Sequence, residues 1–221
     1  MRIIFVRHGE PDYDNDCLTP TGKVQAQQAA QRLLGEGIEQ IWSSPYGRAR
    51  ETAQAFAEVS GLPVRILEAM YELDWENPDA PPAFDDGNPW DTVDEMARLG
   101  QDLTDPAWRE NPFFRSSRVI ESVQRVEKGI DEWLAGLGYI RDGLYYRNTV
   151  EEKEHRTVAL FSHGGSSSAA IGHMLNLQFP HMCALFHMEF TGITILRLNR
   201  EVGRLMPPWL ELVNDAAHLR H

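Results

Sequence analysis

Residues Ile3 to Val6 are apolar without alternation, the pattern of a strand buried on both faces. Thr19-Pro20 then suits a helix cap followed by the first helical position, and a helix is expected through Leu34. On it Val24, Ala30, Leu33 and Leu34 are expected toward the core, with Gly35 and Gly37 ending the element. Ile38 to Trp42 reads as a second strand, Ser44-Pro45 opens a second helix to about Val59 closed by Gly61, and Val64 to Leu67 reads as a third strand. This strand–helix alternation predicts an α/β fold with a mostly parallel sheet covered by helices.

The rhythm breaks at residues 74–118, which carry six prolines, many acids and the tryptophans Trp75, Trp90 and Trp108. Three tryptophans argue for a partly packed excursion rather than a linker, in the place where an α/β fold carries a lid or specificity element. Val119 to Leu137 is expected to be helical. Residues 138–156 form a second irregular insertion with hairpin character at Leu144-Tyr145-Tyr146. Thr157 to Phe161 is another apolar strand, followed by a helix from Gly165 to about Leu175, and Ile193–Leu198 and Leu205–Leu212 suit late strands. One domain over 1–221, with insertions at 74–118 and 138–156, is the expected organisation.

The 221 residues include 42% hydrophobic side chains, enough for a core, and the formal net charge is -12. That balance disfavours nucleic-acid binding, which needs basic surface, but allows an anionic small molecule in a local basic pocket. Cys17 and Cys183 have no metal-ligand spacing and read as two reduced thiols. His155, His173, His181, His187 and His218 likewise show no ligand spacing, so no metal and no other cofactor is expected. The apolar start is too short for a secretory core and no run of about 18 apolar residues follows. A cytoplasmic chain with no membrane partner is the expectation. The sequence leaves the oligomeric state open, a homodimer included.

Candidate chemistry gathers where strands end. Val6 is followed by Arg7-His8-Gly9, and Phe161 by Ser162-His163-Gly164-Gly165. Ligands of parallel sheets bind outside the carboxyl ends of strands, and glycines there let backbone N–H groups approach an anion. A lone strand-end histidine is usually structural; two beside glycines favour a site. Arg48 lies near the start of the second helix, where a guanidinium conflicts with the helix dipole unless an anion is bound; Arg50 reads as solvated. Glu72, between Tyr71 and Trp75, is either a desolvated acid fit for proton transfer or an ordinary exposed one.

Taken in order, these pieces resemble a known family. Arg7-His8-Gly9-Glu10, Leu18-Thr19-Pro20-Thr21-Gly22, Ser44 to Ala53, Glu72, Phe161-Ser162-His163-Gly164-Gly165 and Asn214 to Leu219 resemble, in family order, the motifs of the histidine phosphatase superfamily, also called phosphoglycerate mutase-like. The resemblance implies a three-layer αβα sandwich whose insertions form a cap or lid. It implies a metal-independent phosphatase acting on a small phosphate ester, with His8 as nucleophile forming a phosphohistidine. Arg7, Arg48, His163 and the Gly164 N–H would surround the phosphoryl group, the guanidinium and imidazolium groups offsetting its charge, and Glu72 would donate the proton.

Some positions depart from the pattern. Pro11 replaces a hydroxyl residue, and Asp14 stands where the family has asparagine, leaving Asn15, one step on, as the substrate-binding candidate. The segment after Glu72 lacks the basic residues by which mutases hold a second anion, which favours a phosphatase over a phosphoglycerate mutase, although Arg115 and Arg118 offer replacements. A non-catalytic phosphate-binding or scaffold protein is the third reading.

Overall fold

β1 (Arg2–Arg7) buries Ile3, Ile4, Phe5 and Val6 completely. Alternate side chains of a strand face opposite ways, so one segment feeds two cores. Ile3 and Phe5 join Val158, Leu160 and Leu196 on one face, while Ile4 and Val6 join Ile41, Ala159, Phe161 and Ile195 on the other. Each such side chain contributes about 1.5–3 kcal/mol on burial.

The computed structural model describes residues 1–76, 87–151 and 156–219. After β1 come a two-stranded ribbon of β2 (Pro11–Asp12) and β3 (Cys17–Leu18), then α1 (Pro20–Leu33), β4 (Gln40–Ser43), α2 (Gly47–Ser60) and β5 (Val64–Ile66). The segment beyond β5 holds α3 (Pro89–Arg98), and is followed by α4 (Val119–Gly136), β6 (Tyr139–Asp142) and β7 (Tyr145–Asn148). β8 (Thr157–Ser162), α5 (Gly164–Leu175), α6 (Phe179–Leu185), β9 (Ile193–Arg197), β10 (Leu205–Met206) and β11 (Trp209–Asp215) complete the chain. The main sheet runs β11-β9-β1-β8-β4-β5; the β1, β8, β4 and β5 pairings are parallel, and β9 and β11 add an antiparallel edge. The core cluster with α1 and α2 side chains and the one with α4, α5 and α6 side chains lie on opposite faces, the expected three-layer α/β arrangement.

Thr19 caps α1 as expected, its hydroxyl accepting from Gly22 N at 3.0 Å. The helix is rotated from the expected setting: Val24 and Leu34 are 54% and 49% exposed, and the buried face is Gly22, Ala26, Ala29, Ala30 and Leu33. Small alanines let α1 pack closely against α2, and the large apolar residues misled the reading. The second helix begins at Gly47, two residues after Pro45.

The described residues of both insertions are packed. In the first, Asn88 caps α3 and Val93, Met96, Trp108 and Phe114 enter the core, with Trp108 against Phe114 and Phe179. In the second, β6 and β7 form the expected hairpin, joined by β10 into a three-stranded sheet. The proposed late strand at Leu205–Leu212 is therefore two strands, β10 and β11, in different sheets. Among the described residues no helix is long and apolar enough to cross a membrane.

Candidate active site

Register brings the two histidines together. β1 and β8 pair in parallel with Arg7 opposite Ser162, so His8 and His163 leave the sheet side by side. His8 N donates to Ser162 O at 2.9 Å, and the two imidazole centroids lie 5.1 Å apart, edge to face. β4 stops in step, with Ser43 opposite Phe161, and Ser44 Oγ lies 2.7 Å from His163 Nε2.

His8 is only 2% exposed. Its Nδ1 lies 2.7 Å from Gly9 O. A carbonyl only accepts, so Nδ1 carries the proton, and in a neutral ring Nε2 keeps its lone pair. Burial, with smaller contributions from Arg7 and Arg48 and opposed by the Gly9 bond, pushes the His8 pKa down to about 3. The ring is therefore neutral at pH 7. Its surroundings are tight: a Cβ on Gly9 would fall 2.5 Å from Gly22 O.

A brace lies behind His8. Thr191 adopts φ +56, unusual for a β-branched residue, and donates its N–H to His8 O at 3.2 Å. Its hydroxyl meets His218 Nε2 at 2.9 Å, and Asn214 Oδ1 accepts from Glu189 N in the same loop. The C-terminal motif thus holds the loop that backs the nucleophile candidate.

Arg7, Arg48, Glu72 and Gly164 line one cavity of about 1220 Å³. Arg7 donates to Met188 O and lies 4.3 Å over the Phe190 ring, while its Nε is buried without a partner. Arg48 pairs with Asp16 Oδ1 at 2.6 Å, and its Nε is also buried without a partner. Buried donors without acceptors are costly, and an anion between these two guanidiniums would satisfy them. Arg50 is exposed, as expected.

The helices that start at the site are capped by carboxylates from elsewhere in the chain. Tyr46 precedes α2 and supplies no cap; Asp16 Oδ2 accepts from Gly47 N at 2.6 Å instead. His163 precedes α5, and Glu72 does the capping: Oε1 accepts from Ser166 N and Leu73 N, both at 2.9 Å, and Oε2 from Gly165 N at 3.3 Å. Desolvation of Glu72 outweighs these bonds and raises its pKa.

Two expectations change. Asn15 is exposed, bonds Asp12 Oδ2 at 2.8 Å and does not line the cavity; its neighbour Asp16, at φ 47, reaches Arg48. His163 is not the expected imidazolium, because burial and then the charges of His8, Arg48, Arg7 and Arg125 push its pKa well below the usual value. Asp16, Arg125 and the contact of Ser44 with His163 were not legible from spacing, since each acts across a loop or between distant elements. Of the two basic residues offered by the insertion, Arg118 pairs with Asp74 and Glu76, and Arg115 does not line the cavity.

Comparison with known proteins identifies the family. Residues 3–207 match the model of the histidine phosphatase superfamily (branch 1). The chain is 22% identical over 229 residues to a putative phosphoserine phosphatase 2 of Hydrogenobacter thermophilus, covering 99% of this chain and 98% of that protein. It is 28% identical over 165 residues, covering 70% and 80% of the two chains, to a 2,3-bisphosphoglycerate-dependent phosphoglycerate mutase of Thermoplasma acidophilum. A mycobacterial glucosyl-3-phosphoglycerate phosphatase bound to inorganic phosphate superimposes with TM-score 0.65 at 25% identity, covering 98% of both chains. Phosphoserine phosphatase of Entamoeba histolytica, in complex with 3-phosphoglyceric acid, superimposes with TM-score 0.63 at 25% identity over 99% and 98%. With its motifs, its sheet order and a family match across nearly its whole length, the chain is an enzyme of the histidine phosphatase superfamily, branch 1.

Proposed function

We propose that the protein hydrolyses a phosphate monoester in two steps through His8. The observation that carries this reading is the neutral, buried imidazole of His8, its Nδ1–H tied to Gly9 O, at a site where Arg7 and Arg48 keep unpartnered Nε donors. In the first step the Nε2 lone pair forms a bond to phosphorus and the phosphorus–ester oxygen bond breaks. The departing oxygen takes the electron pair and a proton from Glu72. In the second step water attacks phosphorus, its proton passes to the Glu72 carboxylate, and the N–P electrons return to Nε2. Products are an alcohol, phosphate and the restored site.

Each residue has a physical task. Arg7 and Arg48 offset charge on the equatorial oxygens, the main demand of phosphoryl transfer. His163 adds a hydrogen bond, and the Gly164 N–H at the start of α5 is a further donor. Desolvation raises the Glu72 pKa, which favours the acid form this step uses, and Oε2, with only its 3.3 Å contact, is the oxygen with room for the proton.

Hydrolysis is favoured over transfer to a sugar acid because, of the two basic residues the insertion offers for a mutase's second anionic group, Arg118 is paired with Asp74 and Glu76 and Arg115 does not line the cavity. The test is release of p-nitrophenol from p-nitrophenyl phosphate with and without chelator. Turnover that survives chelation and falls at least about 10³-fold in His8→Ala is expected. Phosphate exchange on phosphoglycerate without release of phosphate would select the mutase reading, and binding without turnover the non-catalytic one.

A further inference from the structure

A neutral imidazole carries one N–H, and the nitrogen that holds it decides what the ring can offer an anion. His163 is such a ring. It is completely buried, and burial with the positive charge around it disfavours the imidazolium. Part of that charge is Arg125, whose Nη2 is spent on the main-chain carbonyls of Tyr71 and Glu72. Edge contacts with the rings of His8, 5.1 Å between centroids, and Tyr46, 5.3 Å, hold the imidazole plane. The plane alone does not say which nitrogen bears the proton.

Ser44 does. It directly follows β4 and precedes Pro45, which restricts it to extended backbone. Its N–H donates to Phe161 O at 2.9 Å, so the sheet sets the place of the hydroxyl. Ser44 is completely buried, and its Oγ has two polar neighbours: it accepts from Tyr46 N at 3.3 Å and lies 2.7 Å from His163 Nε2. A hydroxyl has one proton to give, and among the described residues Oγ has no other acceptor. Were Nε2 the protonated nitrogen, it would donate to Oγ and leave the hydroxyl proton buried without an acceptor, a costly arrangement. The satisfied arrangement is the reverse: the hydroxyl donates to Nε2, and the ring proton sits on Nδ1.

Nδ1 of His163 is buried and has no hydrogen-bond partner, as are Nε of Arg7 and Nε of Arg48 at the same rim. A tetrahedral anion offers oxygens that only accept, and one such group satisfies all three donors. The opposite tautomer would meet it with a lone pair and repel it. We propose that Ser44 is a positioning residue, whose hydroxyl holds His163 in the Nδ1–H tautomer and so makes the ring a donor to the transferring phosphoryl group. This rests on the phosphatase reading above.

The test reads the proton directly. In protein labelled with ¹⁵N-histidine, proton–nitrogen correlation spectra separate protonated from bare ring nitrogens and distinguish the two tautomers; the His163 signals are those lost in His163→Gln. Wild-type protein is expected to show Nδ1 protonated and Nε2 bare. In Ser44→Ala the pattern moves toward Nε2–H, and both kcat/KM for p-nitrophenyl phosphate and the affinity for inorganic phosphate as an inhibitor fall roughly 10- to 100-fold, the worth of one hydrogen bond to a charged group. Ser44→Thr, which restores the donor, recovers the tautomer and the activity together. Ser44→Cys, a weak donor, falls between the two and carries the comparison if the alanine variant does not fold or the added methyl of threonine does not fit. A wild-type ring with its proton on Nε2 overturns the proposal. So does a loss of activity in Ser44→Ala with the wild-type tautomer intact, which would make Ser44 a packing residue only, and so does unchanged activity. Failure of the wild type to hydrolyse the ester while the ring spectra match the expectation overturns the phosphatase reading and leaves the tautomer assignment standing.

Discussion

Replacing Gly165 with alanine sets a methyl group against the proposed acid. A Cβ there falls 2.7 Å from Oε1 of Glu72 and 3.0 Å from Cδ1 of Leu73. Ordinary contact begins near 3.4 Å, so Oε1 must retreat by roughly 0.7 Å. It has no free direction, because the same oxygen accepts from Leu73 N and Ser166 N, both at 2.9 Å. Retreat therefore weakens at least one hydrogen bond to the neutral carboxyl, at a cost of about 0.5–1.5 kcal/mol, and moves the proton away from the departing oxygen. A misplacement of this size in a proton donor corresponds to a loss of roughly 10- to 100-fold. The loss depends on the leaving group. Alkyl alcohols need the proton, whereas p-nitrophenolate leaves without it. Gly165→Ala is expected to lower kcat/KM for glycerol phosphate by about 30-fold and for p-nitrophenyl phosphate by less than about threefold. Equal losses on both esters would refute the assignment of Glu72 as acid, and so would the absence of any loss.

Other outcomes follow from the same geometry. His8 resists protonation down to about 3, while an unfolded histidine titrates near 6.5. Its folded pKa is depressed, so this contribution to stability is full above about 6.5 and is lost as pH falls toward 3; urea midpoints at pH 7, 5 and 4 should decline in that order, and His8→Asn should flatten the decline. The raised pKa of Glu72 places its loss of a proton above the usual carboxylate range, so kcat/KM for an alkyl phosphate should fall as pH rises through that value, and Glu72→Gln should remove this limb. Asp16 holds both Arg48 and the start of α2, so Asp16→Ala should lower kcat/KM for p-nitrophenyl phosphate by about tenfold or more through a higher KM, with Asp16→Asn milder because one acceptor oxygen remains. Trp108 is buried against Phe114 and Phe179, and Trp108→Ala should cost about 3–5 kcal/mol in denaturant unfolding.

What could be read from the sequence depended on whether a signal was local. The doubly buried strand at Ile3–Val6 announces itself by composition, and strand ends carrying Arg7-His8 and Ser162-His163 imply a shared rim once a parallel sheet is inferred. Register then fixes the 5.1 Å approach of the rings, which patterning alone does not supply. The cap at Thr19 was legible because it lies three residues from the N–H it accepts. Val24 and Leu34 misled because α1 packs through alanines against α2, a choice made by the partner helix. α3 was hidden among prolines, one of which is its own first residue, Pro89. Family spacing points to Asp14 and leaves Asn15 as the asparagine one step on, whereas the residue that reaches Arg48 is Asp16, in a left-handed conformation. Arg125 had no local signal, since its significance lies in carbonyls 53 and 54 positions away.

The central claim, a covalent phosphoryl bond to the His8 ring, can be tested by trapping it. The protein is mixed with excess phosphate ester, quenched in alkali within milliseconds, where phosphohistidine survives, digested and mapped by mass spectrometry. The account predicts one added phosphoryl group on the peptide that contains His8, lost in His8→Ala together with turnover. Phosphate on a serine or on His163, or full turnover in His8→Ala, would contradict it.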